Sequence, residues 1–198
     1  NQVVACVEVA AQKRSADRSE LRTISVVGVR NADLPQSMDT ICRSLAMLFE
    51  RNLVEAKNFA VLERSRLASL QQEQNLSSTA ANSELVSSVL QADIEFSKSE
   101  DGVQATLLVT DSLGRQVHKS TSTAQLLDLS LMVPLVESLS RGLKLSHSHS
   151  VPNRRYESER YYREAKQRWS YGDKEEAIQC AEAAWLLDPD KLHNASLL

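Results

Sequence analysis

The chain has 198 residues, of which 42% are hydrophobic and 25% charged, and its net charge is −3. That length holds one medium domain, or one domain with a small appendage. The negative balance leaves no basic surplus for gripping a phosphate backbone, and an aromatic content of 5% leaves few platforms for stacked bases. Nucleic acid is therefore not an expected partner.

Val3 to Ala10 is β-branched and apolar and reads as a strand, and Gln12 to Glu20 as a charged loop or a frayed helix. Arg22 to Arg30, with Ile24, Val26, Val27 and Val29, predicts a second strand buried on both faces. Asn31-Ala32-Asp33-Leu34-Pro35 stops it. Ser37 to Ala56 is the clearest helix. Met38, Ile41, Cys42, Leu45, Leu48, Phe49 and Leu53 recur along one face, Ser37 stands as N-cap, and the helix closes near Lys57-Asn58.

Phe59 to Glu63 predicts a strand and Ser65 to Gln74 a helix. A loop from Ser77 leads to a short helix around Glu84 to Leu90. Ala92 to Lys98 and Val103 to Thr110 alternate as half-buried strands. Asp111-Ser112-Leu113-Gly114 is a hairpin turn, and Gln116 to Ala124 a polar edge strand. Leu126 to Leu145 predicts a long helix that Pro134 kinks or restarts.

Ser146 to Asn153 is small, polar and proline-capped, which marks a linker. Beyond it, two charged helices fit, Tyr156 to Tyr171 and Lys174 to Leu187, joined at Gly172-Asp173. The domain plan is thus a leading strand and loop (1–21), an α/β domain (22–145), a linker (146–153) and a helix pair (154–198). The fold class is α/β, a mixed β-sheet packed with helices, followed by a C-terminal α-helical hairpin.

Chemistry is sparse. The five glycines are too scattered for a phosphate-cradling loop. Cys6, Cys42 and Cys180 have no metal or redox spacing and read as small buried hydrophobes. His147 and His149 read as a solvated linker rather than a metal site, and His118 as an exposed strand residue. No serine stands on a nucleophile elbow. No catalytic residue, metal or cofactor is expected, and no apolar run approaches the roughly 20 residues of a membrane-spanning helix.

One local device stands out. The run Val61-Leu62-Glu63-Arg64 ends a strand in a Glu-Arg pair, and Glu73 follows on the next helix. Arg64 is placed to make a bidentate pair with a carboxylate and tie helix to sheet, so Glu63, Arg64 and Glu73 read as a structural joint.

These residues also carry a resemblance. The stretch Thr23 to Leu145 resembles the CsgG-like and TolB-amino-terminal-like modules of the bacterial envelope. The strand Ile24 to Val29, the helix end Phe49-Glu50-Arg51-Asn52-Leu53 and the Glu63-Arg64 strand end carry it. Leu67, Leu70, Glu73 and Leu76 follow, and then the strand pair from Ala92 to Val117 with its Asp-x-x-Gly turn. The tail resembles a tetratricopeptide helix pair through Ala165, Gly172, Ala177, Ala184 and Pro189, though Arg168 and Ala181 stand where bulkier apolar residues are usual.

The resemblance implies a non-enzymatic protein-interaction or assembly module of the envelope, periplasmic or secreted, with other envelope proteins as partners and a homo-oligomeric ring permitted. It does not extend to a pore. Gln116, His118 and Ser120 alternate with Lys119, Thr121 and Thr123, so neither face of that strand suits lipid. The amino-terminal lipid-bearing Cys of pore-forming members is not present either. The start at Asn1 without Met and the apolar end at Leu197-Leu198 read as a piece of a longer chain.

Tyr161, Trp169 and Trp185, with Tyr162, read as core if the helix pair docks on the α/β domain, and as a partner-binding face if it does not. The alternative function is a small-ligand receptor or enzyme with its site at the strand ends around Arg30, Asn31 and Arg64.

Overall fold

Alternation of side chains decides the sheet, and a helix buried on two sides decides everything attached to it. The computed structural model describes residues 22–56, 59–62, 88–144 and 154–190. In chain order these form β1 (Arg22–Asn31), α1 (Asp39–Glu55), β2 (Phe59–Val61), β3 (Leu90–Ser99), β4 (Gly102–Thr110), β5 (Gln116–Ala124), α2 (Met132–Gly142), α3 (Arg154–Tyr171) and α4 (Lys174–Leu187). The expected strand Val3 to Ala10, the helix Ser65 to Gln74 and the linker 146–153 lie outside the described residues.

The strands lie in the order β2-β1-β3-β4-β5. β1 pairs in parallel with both β2 and β3, and β3, β4 and β5 are antiparallel. This is the mixed α/β sheet that the element order implies. Ala92, Ile94 and Phe96 pair with Val109, Leu107 and Ala105, and all six are fully buried on one face. In the same rows β5 contributes His118, Ser120 and Ser122, so the buried face turns polar at this edge. α1 covers β1 and β2, and α2 covers β5.

The strand connections follow local chemistry. Asp111 Oδ1 accepts from the backbone N–H of Leu113 and of Arg115 at 2.9 Å each, and Arg115 Nε donates to Oδ2 at 2.7 Å. The Arg115 backbone N–H, foremost among these contacts, holds the Asp111 carboxyl below its ordinary range.

The β3–β4 turn closes on Gly102 at φ +143°, where a Cβ would stand 2.4 Å from the Ala124 carbonyl oxygen and 2.7 Å from the Gln125 Cα. Both obstacles are backbone and cannot swing aside. Gly102→Ala is expected to cost about 2 kcal/mol. The check is a lower urea midpoint at unchanged denaturant slope.

Four boundaries differ from the expectations. Ser37 does not cap α1: residues Gln36–Met38 form a 3-10 turn and the helix begins at Asp39. The loop is organised instead by Asn31, whose Oδ1 accepts from the Leu34 N–H at 2.8 Å and whose Nδ2 donates to Asp39 Oδ1 at 2.6 Å. α1 also ends earlier, because Ala56 is extended at ψ 127°. Leu90 belongs to β3, where it pairs with Ile24, not to a helix. α2 starts at Met132 rather than Leu126, after a 3-10 turn at Leu129–Leu131 that Asp128 caps through the Ser130 N–H. Pro134 therefore sits in the first turn of α2, where its missing N–H costs nothing, so of the kink and the restart it is the restart that the structure shows.

α1 is buried on two sides. Leu45, Phe49 and Leu53 have no exposure, but Ser44 and Ala46 are buried as well. The second side meets α4. Ser44 Oγ lies 3.2 Å from the Gln179 carbonyl and 3.0 Å from Glu182 Oε2, so the Ser44 hydroxyl reaches into the helix pair. Arg43 Nη1 meets Glu175 Oε1 at 2.5 Å, and Arg51 Nε stands 3.6 Å from Glu157 Oε2. Burial pushes the Glu182 carboxyl up, against the opposing pull of the Ser44 hydroxyl and the Arg43 charge. The helix pair is thus docked on the α/β domain, in the layer order sheet, α1 with α2, then α4, then α3.

Candidate functional site

Three places gather the chemistry of the described residues: the end of β1, the seam between β5 and α2, and the outer helix α3. At the first, Arg30 Nη2 lies 3.2 Å from Glu95 Oε2, an ion pair between exposed side chains on neighbouring strands. Asn31 spends its carboxamide on Leu34, Pro35 and Asp39 within the β1–α1 connection. Both residues have structural bonds there. Glu63, Arg64 and Glu73 lie outside the described residues.

At the second place, the His118 ring is half-buried against the last turn of α2. Its Nε2 is 3.4 Å from Ser138 Oγ, and a Cβ on Gly142 would come 2.4 Å from its Nδ1. This corrects the expectation of an exposed histidine. The strand is polar, but a helix with glycine at the right turn lets the imidazole in.

Burial lowers the His118 pKa. The folded state then holds His118 neutral while the unfolded chain takes up a proton below its ordinary value of about 6.5. The unfolded chain binds more protons in that window, so stability is full above it and falls as pH drops towards the lowered folded value. His118→Gln is expected to lose less stability than the parent between neutral pH and mild acid. Urea midpoints at both pH values check this.

The thiols of Cys42 and Cys180 are free and buried, and burial pushes each up to about 11, so both are protonated packing groups. No cluster of three or more metal-binding side chains occurs among the described residues, and no helix there is long and apolar enough to cross a membrane.

The third place is the outer helix. The four aromatic residues of the pair divide. Tyr161 is 4% exposed, its phenol pushed up to about 12 by burial, and it is core. Tyr162 and Trp185 are half-buried and pack on the core. Trp169 is 50% exposed, in the last turn of α3, with the Lys174 ammonium 5.9 Å from its ring. Docking therefore does not bury every aromatic: α4 makes the main contact with α1, α3 reaches it through the Arg51–Glu157 pair, and the outer side of α3 is left to solvent.

An open groove of about 460 Å³ runs along α3, lined by Arg160, Arg163, Glu164, Gln167, Arg168 and Tyr171 and closed by Asp173. Within it Arg168 is already committed. Its Nη2 is 3.0 Å from Glu164 Oε1 and its Nη1 meets Glu176. The hydrogen bond to Glu164 is the foremost cause of its raised pKa. Arg160 Nη2 lies 3.0 Å from Glu157 Oε2, whereas its Nε has no hydrogen-bond partner. Arg163 is 71% exposed, and the carboxylate paired with it, Glu159, stands 3.9 Å away.

The residues that line this groove were not among the sequence-derived candidates. Their signal was present: Arg160, Arg163, Gln167 and Tyr171 fall at helical spacing on one flank. It was hidden by the even mixture of charges along the helix.

Comparison with known proteins gives one family. Residues 6–94 match the CsgG family, described as the curli production assembly/transport component CsgG. The LpoB C-terminal domain from Salmonella enterica is similar in structure at 13% identity and a TM-score of 0.31, over 61% of this chain and 95% of that one. No curated protein matches the chain.

Proposed function

We propose that this protein is a non-enzymatic interaction module of the bacterial cell envelope, in which the CsgG-like α/β domain carries a docked helical pair as an extension of its binding surface. The observation that carries the reading is the match of residues 6–94 to a family of envelope assembly and transport components. The geometry supports it from a second direction. Arg30 and Asn31, the described residues of the strand-end alternative, are engaged with Glu95 and with the β1–α1 connection.

We read the helix pair as tetratricopeptide-like. Ala165, Ala177, Ala181 and Ala184 are buried in it, and small residues of this kind let two helices approach closely. One pair cannot bury both of its faces, and here α1 of the α/β domain covers one of them. A ring of copies through the α/β domain belongs to the same proposal; sedimentation at high concentration that shows a strict monomer removes it.

The test is cross-linking and capture of the tagged protein from its native cells after fractionation. The expected result is recovery with the envelope fraction and reproducible cross-links to envelope proteins. Recovery with the cytosol, or no cross-linked protein above an untagged control, overturns the reading.

A further inference from the structure

On α3, Tyr156, Arg160, Arg163, Gln167 and Tyr171 stand at steps of four, three, four and four residues, which places them in one stripe along one flank. None of these five is acidic, although the chain as a whole is; of the two carboxylates that line the same groove, Glu164 is paired with Arg168 and Asp173 closes the far end. α3 carries six basic residues (Arg154, Arg155, Arg160, Arg163, Lys166, Arg168) against three acidic ones (Glu157, Glu159, Glu164). The inner helix α4 has the opposite balance, Lys174 against Glu175, Glu176 and Glu182. The positive surplus is therefore gathered on the layer that faces away from the sheet.

We infer that this stripe docks an extended acidic peptide segment of a partner protein, with two carboxylates on Arg160 and Arg163 and the tyrosines at either end as contact platforms. The inference rests on the interaction-module reading and names the chemistry of the partner.

Dimensions support it. Tyr156 and Tyr171 are about 22 Å apart along the helix axis, which an extended segment of about seven residues spans. Arg160 and Arg163 are separated by one helical turn, about 5–6 Å between Cβ atoms. Residues two apart on an extended chain lie on one side at about 6.6 Å, so a Glu-x-Glu segment matches the arginine spacing. Arginine and tyrosine are also the residue types that dominate binding energy at protein interfaces.

A lipid surface fits less well. The apolar face of α3, with Tyr161 and Ala165, is spent on α4, and the exposed Tyr156, Trp169 and Tyr171 are separated by charged residues rather than joined in an apolar face that could insert between acyl chains.

Fluorescence anisotropy on the whole chain tests the inference. The probe is a fluorescein-labelled peptide of about nine residues with a central Glu-x-Glu, compared with its Gln-x-Gln twin. The Glu peptide is expected to saturate, and both the twin and the Arg163→Glu protein to bind about tenfold more weakly. Lys119→Glu, the same charge change on exposed β5, is expected to leave affinity within about twofold. Far-UV circular dichroism establishes that both variants are folded.

Equal binding of the two peptides, equal loss from Arg163→Glu and Lys119→Glu, or saturation only with phosphatidylglycerol vesicles or single-stranded DNA overturns the inference. If envelope cross-links persist while the peptide fails, the stripe alone is wrong. If the cross-links vanish as well, the interaction-module reading falls with it.

Discussion

Phe49→Ala is expected to lower stability by about 3–5 kcal/mol, the usual cost of removing a fully buried aromatic ring and leaving a cavity. Phe49 has no solvent exposure, and its helix lies between the sheet and α4. The consequence reaches beyond the α/β domain. Both tryptophans of the chain, Trp169 and Trp185, belong to the helix pair, so tryptophan fluorescence reports the pair alone. If the pair is docked through α1 as described, the urea midpoint from fluorescence falls together with the midpoint from far-UV circular dichroism. A fluorescence midpoint that stays put while the dichroism midpoint falls would show that the two parts unfold independently.

Ala184→Leu is expected to cost about 3 kcal/mol, at the upper end of what overpacking a close helix seam brings. Ala184 is fully buried, and its carbonyl accepts from Ser158 Oγ at 2.9 Å, so backbone and hydroxyl are in direct contact where the new side chain would have to fit. Ser158 is itself fully buried, which leaves the seam no slack on the α3 side. Here the effect should be local. Proteolysis is expected to cut first within the helix pair, and the Trp fluorescence transition to move to lower urea than the sheet signal. Uniform loss of both signals would instead show that the helix seam unfolds as one unit with the core it shares with α1 and the sheet.

The two variants together separate docking from hairpin closure, and this bears on function. An appendage held by Leu186 and by the contacts of Ser44, Arg43 and Arg51 presents α3 at a fixed place on the surface. A tethered pair would present it anywhere. A binding stripe gains affinity from the fixed arrangement because less freedom is lost when the partner arrives.

Much of this was legible in the residues themselves. The alternation Val103, Ala105, Leu107, Val109 places β4 and its buried face, because period two in a strand admits no other assignment of sides. The Asp111 to Gly114 turn and the end of α4 at Leu187 follow from local chemistry, where the side chain and the backbone it bonds lie within a few residues.

The helix Asp39–Glu55 was legible too, but only as a single stripe. Ser44 is not part of that stripe, and it is the second helix that buries it. His118 reads as exposed, since its burial depends on Gly142 and Ser138 of a helix twenty or more residues later. Pro134 reads as either a kink or a restart, because the choice depends on where the helix starts, and that is set by Asp128 and the packing of Leu131 and Met132.

Periodicity and turn chemistry are properties of neighbours along the chain, so among the described residues the sequence by itself determined the main strands and helices, though not all of their ends, and the apolar side of β3 and β4. Which helix faces are covered is a property of neighbours in space. Only the tertiary structure decided that α1 is covered twice, that Tyr161 is core while Trp169 is not, and that Arg163 of α3 faces solvent while Arg160 and Arg168 are half-buried. The reason is that docking through α4 leaves one flank of the outer helix with water as its remaining neighbour.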